Sequence, residues 1–156
     1  MSARDIIEWE GLEPGDLDDL LKLEREIGFE LPERYKQIAA KYDGARPVKK
    51  TDVDFYSVFD KRNDFCDIGR FLEYVRRTYP IQTRLWNWTH KPETLPEKCV
   101  AFSELGNGDL ICFDYRESKE PKIVLWHFHG TEPDETISFV ANNFDEFLEK
   151  LHEPRG

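Results

Sequence analysis

Apolar positions along the chain change rhythm several times, and each rhythm predicts an element. Behind the Pro14-Gly15 turn, Asp16 stands where a helix cap belongs, and Leu17, Leu20, Leu21 and Ile27 keep helical spacing until Gly28. A second helix is predicted from Leu31-Pro32-Glu33, because proline suits a first helical position and Glu33 complements the positive end of the dipole. Its apolar side chains Tyr35, Ile38, Ala39 and Tyr42 fall at i, i+3, i+4 and i+7, and Gly44 ends it. Val53 to Phe59 is rich in β-branched and aromatic residues and predicts a strand. Asp67 is expected to cap a middle helix carrying Ile68, Phe71, Leu72 and Val75 on one face, with Pro80 at its end.

Residues 81–97 hold Trp86, Trp88, Pro92 and Pro96 without clear periodicity, predicting an irregular connection with a short strand around Leu85–Trp88. Four strands should follow, at Lys98–Ser103, Asp109–Tyr115, Lys122–Phe128 and Thr136–Ala141. The first two are joined by Gly106-Asn107-Gly108, the composition of a tight hairpin, and the nearly continuous apolar run Ile123–Phe128 implies a central strand covered on both faces. Asn143 with Glu146 three residues on forms a capping-box pattern ahead of Phe144, Phe147, Leu148 and Leu151. The expected fold is α+β: a mostly antiparallel sheet of about five to six strands flanked by N-terminal, middle and C-terminal helices. Without repeats or Gly/Ser linkers, one domain over residues 1–156 is expected, with residues 1–13 as an N-terminal arm.

Composition narrows the function classes. Over 156 residues, 22 basic and 32 acidic side chains leave a formal charge of −10, and 13% aromatic content argues against disorder. A chain of this length buries roughly 70% of its unfolded surface and needs no disulfide or metal to fold. The acidity is spread out: residues 1–78 hold 14 basic and 18 acidic groups, and residues 79–156 hold 8 and 14. No segment concentrates Lys or Arg, which excludes a phosphate-backbone footprint. No apolar run approaches the ~20 residues a bilayer span needs. The start, Met-Ser-Ala-Arg-Asp, lacks a secretory core, and Cys66, Cys99 and Cys112 form no Cys-x-x-Cys pair, so a reducing, cytoplasmic setting is expected.

Candidate chemistry is sparse. His127-x-His129 would put two imidazoles on one face of a strand, with Glu132 or Asp134 as a carboxylate ligand, but strand-end histidines are the default. Cys112 and His127 on neighbouring strands could pair. The acidic stretch from Asp52 to Asp67 fits no EF-hand loop, and no Lys-Ser or Lys-Thr follows the Gly-rich turn as in a phosphate loop. Asp109 is expected to accept backbone N–H groups at its turn, and Asp114 to bond at a strand end. No metal, no cofactor and no catalytic residue is expected.

Several short blocks stand in a recognisable order: Glu24…Ile27-Gly28, Leu31-Pro32-Glu33-Arg34-Tyr35-Lys36, Asp43-Gly44, then Val100-Ala101-Phe102 leading to Gly106-Asn107-Gly108-Asp109-Leu110-Ile111-Cys112-Phe113-Asp114. Val124 to His129, Phe139-Val140-Ala141 and Phe144-x-x-Phe147-Leu148 complete the series. From about residue 16 to residue 151 this resembles the SUKH superfamily, with Asp43 where members usually carry Asn and Asn107 at an otherwise glycine position. The resemblance implies a fold and no catalytic residue. It further implies a non-catalytic immunity protein that binds and neutralises a cognate toxin, often a nuclease and so basic. The alternatives are a scaffold module of the cell-wall-assembly-regulator type and, on the histidines alone, a metal-dependent enzyme. Partner contact is assigned to Asp52, Asp54, Tyr56, Asp60, Trp86, Trp88 and Glu104: indoles and a phenol as anchors, carboxylates to meet a cationic neighbour. The expected state is a monomer or weak dimer.

Overall fold

A computed structural model describes residues 7–74 and 94–155. Trp86, Trp88, the end of the expected middle helix at 75–80 and the connection at 81–93 lie outside the described residues.

The two N-terminal helices form at the expected places, except that the second stops at Lys41 and Tyr42, expected on its apolar face, turns into a strand. α1 spans Leu17–Ile27; the Asp16 carboxylate accepts the Asp19 N–H, and Gly28 closes the helix in the left-handed conformation at φ 77°. α2 spans Glu33–Lys41 behind Pro32. Glu24 ties them together by accepting the Leu31 N–H at 2.8 Å and pairing with Lys36 at 3.0 Å. The N-terminal arm is not loose. β1 (Trp9–Glu10) pairs with β4 (Arg46–Pro47), and β2 (Glu13–Pro14) with β3 (Tyr42–Asp43), stitching the arm across the exit of α2.

The expected sheet of five to six strands is divided. β5 (Asp52–Ser57) and β6 (Arg62–Asp67) form a separate antiparallel hairpin, while β7 (Cys99–Glu104), β8 (Leu110–Asp114), β9 (Lys122–Trp126) and β10 (Ile137–Ala141) make one four-stranded antiparallel sheet in the order β10-β9-β8-β7. α3 (Phe144–Lys150) closes the series. Asn143 caps α3 by accepting the Glu146 N–H, and Glu146 reaches back to the Asn142 N–H, one residue before the cap.

The expected middle helix does not begin at Asp67. That residue ends β6 and accepts the Gly69 N–H, turning the chain through Gly69 at φ 61°. The following N–H groups are spent elsewhere: Phe71 donates to the Ala45 carbonyl and Leu72 to that of Phe102. Bonds to other segments replace the i→i−4 bonds a helix needs.

Both faces of the four-stranded sheet are covered. Phe102, Ile111, Phe113, Ile123 and Leu125 belong to the main core, with Tyr35 from α2 and Phe144 and Phe147 from α3. Phe102 stacks on Phe113 at 4.1 Å, and Tyr35 meets Phe113 edge-on at 5.1 Å. Cys99, Cys112, Val124 and Trp126 face the other way, in a smaller cluster with Leu95. Val53 on β5 enters the main core, with Phe55 and Cys66 packed against it, so the hairpin has one buried face and one outward face.

Candidate functional site

Register decides what the hairpin shows to solvent. Asp54 pairs with Phe65, Tyr56 with Asn63 and Asp52 with Asp67, so these six side chains lie on the face opposite Val53, with Asp52 alone buried, where the chain end covers it. Tyr56 is 54% exposed and Phe65 58%, as diagonal neighbours across the two strands. Inward, Val53, Phe55 and Cys66 already satisfy the core, so these two rings are surplus to its packing. At the tip, Lys61 takes a left-handed conformation at φ 59°, and exposed Asp60 is fixed by Ser57, whose hydroxyl accepts its N–H.

The end of the chain borders this face. His152 exchanges both backbone bonds with Asp52, extending the hairpin by a bridge. Arg155 forks onto Asp54 (3.0 and 2.7 Å), and His152 Nε2 lies 3.0 Å from the same carboxylate. The guanidinium first and the imidazole second lower the Asp54 carboxyl to about 2. His152 is raised above its ordinary value by the Glu153 carbonyl first, then by Asp54.

The assigned contact residues therefore separate. Asp54, Tyr56 and Asp60 come together on one hairpin. Asp52 does not present its charge: it is buried beneath the bridge to His152 and accepts the Thr51 hydroxyl. Glu104 is exposed at the end of β7, next to Ser103, whose hydroxyl holds the Ile68 carbonyl just past β6. Phe65 was not among the sequence-level candidates. Its signal was available: in Arg62–Asp67 it is the one large apolar side chain at an outward position of a polar strand.

The His127-x-His129 pair is split. β9 ends at Trp126, so strand alternation stops there; His127 is buried and His129 exposed. Among the described residues, no group of three His, Cys, Asp or Glu is placed to hold a metal ion. Cys112 faces the smaller cluster and His127 the hairpin, so the two are not a pair; burial pushes the Cys112 thiol well up.

His127 instead belongs to a sealed polar array. Its Nε2 lies 2.6 Å from the Ser138 hydroxyl and its Nδ1 3.6 Å from the Asp109 carboxylate. Ser138 is 0% exposed and also accepts the Val58 N–H at 2.9 Å. Phe59 stacks over the imidazole at 5.7 Å. Burial works to raise the Asp109 carboxyl, but His127 and the Phe128 N–H outweigh it and hold it below its ordinary value. The arrangement has the membership of a nucleophile triad, yet a reacting carbonyl has no route to that hydroxyl. It is a clamp between the hairpin and the sheet.

A groove of about 1400 Å³ lies elsewhere, between α2, α3 and the β1–β4 pair, and mixes Arg34 and Lys41 with Glu8 and Glu149.

The family model described as SMI1 / KNR4 family (SUKH-1) matches residues 14–150. The chain belongs to this family. Among curated proteins it is similar to the SPbeta prophage-derived uncharacterized protein YokK of Bacillus subtilis (strain 168), 25% identical over 146 residues that cover 86% of this chain and 73% of that protein. The SUKH-1 blocks do structural work here. Tyr35 sits at the centre of the core, and Asp43 accepts the Tyr74 N–H. Asp109 accepts the Phe128 N–H across the sheet and, within its turn, the side-chain amide of Asn107 rather than a backbone N–H, while the Asn107 carbonyl oxygen accepts the Asp109 N–H. Gly108, at φ 93°, supplies the backbone conformation that turn requires.

Proposed function

We propose that this SUKH-1 protein is a stoichiometric, non-catalytic neutraliser of a cognate toxin with a basic surface, acting in the cytoplasm. The observation that carries the reading is the division of labour in the described residues. The Ser–His–Asp arrangement is sealed and spent on joining two layers, whereas the β5–β6 hairpin exposes the rings of Tyr56 and Phe65 together with Asp60 and Asp67. Such a surface suits binding rather than turnover: aromatic anchors slow dissociation, and negative charge speeds encounter with a cationic partner. The prophage origin of the relative is in keeping with a role in conflict between genetic elements. Neutralisation inside a cell calls for an affinity of roughly nanomolar, or about −12 kcal/mol.

The test is co-expression of this chain with the toxin candidate encoded beside its gene. Survival of the host together with a 1:1 complex on size-exclusion chromatography is the expected result. Unchanged lethality with no complex would overturn the reading, and recovery of a host assembly instead would favour the scaffold role.

A further inference from the structure

We propose that the outward face of the β5–β6 hairpin is the docking surface, and that it takes an arginine-bearing face of a partner protein. This rests on the binding reading above and adds where contact is made and with what chemistry.

Two rings, Tyr56 and Phe65, lie exposed and diagonal on a rigid hairpin whose other face is anchored in the core. Isolated exposed apolar side chains need no explanation, but adjacent rings on one rigid face form a patch. Around them stand carboxylates. Residues 52–67 contain five Asp against Lys61 and Arg62. Asp52 is buried, Asp54 is held by Arg155, and Asp64 pairs with Phe55 on the inward side, which leaves exposed Asp60 at the tip and exposed Asp67 at the far end. Each of these two uses one oxygen on a local bond, from the Ser57 hydroxyl and the Gly69 N–H respectively.

The chain itself displays the recognition mode. Arg155 lays a two-pronged guanidinium on Asp54 at the border of this face, while remaining exposed itself. A guanidinium suits the remaining surface for the same reasons: its planar fork matches a carboxylate, and its face stacks on an aromatic ring. Lysine offers only a point charge and makes the weaker partner.

The probe is a hexa-arginine peptide, titrated against the full chain and followed through the ring resonances of Tyr56 and Phe65, with hexa-glutamate as control. Hexa-arginine should shift both rings, and the double variant Tyr56→Ala/Phe65→Ala should bind at least roughly tenfold more weakly. Phe139→Ala, an exposed ring on β10, should change nothing. Shifts confined to other surfaces, or equal affinity of the double variant, overturn the proposal. A second arm uses the toxin encoded beside the gene, where the double variant should lose about 100-fold in affinity if both rings are anchors. Wild-type binding that survives in the double variant overturns the face and leaves the neutraliser reading standing. A toxin ignored by the wild type, with hexa-arginine still mapping to the rings, overturns that reading and supports the face. Both substituted rings are exposed, so retained far-UV circular dichroism is expected in the double variant.

Discussion

Three buried tyrosines invite the same substitution with opposite signs. The Tyr35 hydroxyl is fully buried and has no hydrogen-bond partner among the described residues. Burial, with like-charge neighbours, pushes that phenol far above its ordinary range. Tyr74 donates to the Ala39 carbonyl and accepts the Asp16 N–H at 2.9 Å, and Tyr115 donates to the Glu30 carbonyl at 2.7 Å. An unpaired buried hydroxyl costs about 1–3 kcal/mol, whereas a satisfied one contributes about 0.5–1.5 kcal/mol. Tyr35→Phe keeps the ring and its edge-on contacts with Phe113 and Phe144. It leaves a void of about one heavy atom, which at ~24 cal/mol per Å3 offsets only ~0.4 kcal/mol. The expected net gain is ~1 kcal/mol, or a Tm rise of ~2–4 °C. Tyr74→Phe also orphans the Asp16 N–H and should lower Tm by ~3–8 °C, with Tyr115→Phe between zero and that loss. Thermal and urea unfolding of the three variants, at unchanged m-value, provide the measurement. A Tyr35→Phe protein less stable than wild type would show that the hydroxyl has a partner and refute the reasoning.

Ser138→Ala should cost ~2–3 kcal/mol, because it strips the Val58 N–H of its acceptor and His127 of its bond inside a sealed site. Hydrogen exchange at Val58 should accelerate, and an unchanged rate would remove the clamp from the account. The His152 imidazole should titrate above 6.5 by NMR, and Asp54→Asn should return part of the shift while the Glu153 carbonyl preserves the rest. Because the folded value is raised, its contribution is complete below pH 6.5 and fades as pH climbs through that value. The Asp54 contribution has the opposite sign, complete above pH 3.8 and lost as pH falls towards about 2.

Local signals carried far in this chain. Asp16, Gly28 and Asn143 act at helix ends because capping depends on a few adjacent atoms, and the sequence already contains those. The four strands from Cys99 to Ala141 follow from alternation between two covered faces, which is why β8 and β9 were legible as buried runs. The same pattern misled at Ile68, Phe71 and Leu72. Helical spacing states only that side chains turn inward, and here Phe71 enters the main core while Leu72 packs on the other cluster. Their backbone N–H groups found partners at Ala45 and Phe102, residues that sequence proximity does not connect.

The candidate face divides along the same line. The acidic and aromatic character of residues 52–67 is a matter of composition. Which carboxylate stays available is not: Asp52 is buried and Asp54 neutralised by a segment about 100 residues away, while register alone turns Phe65 outward beside Tyr56. Likewise, nothing local joins Ser138 to His127 and Asp109. Residue identity sets what a side chain can donate, accept or bury. Only long-range pairing settles which partner consumes that capacity and which groups remain facing water.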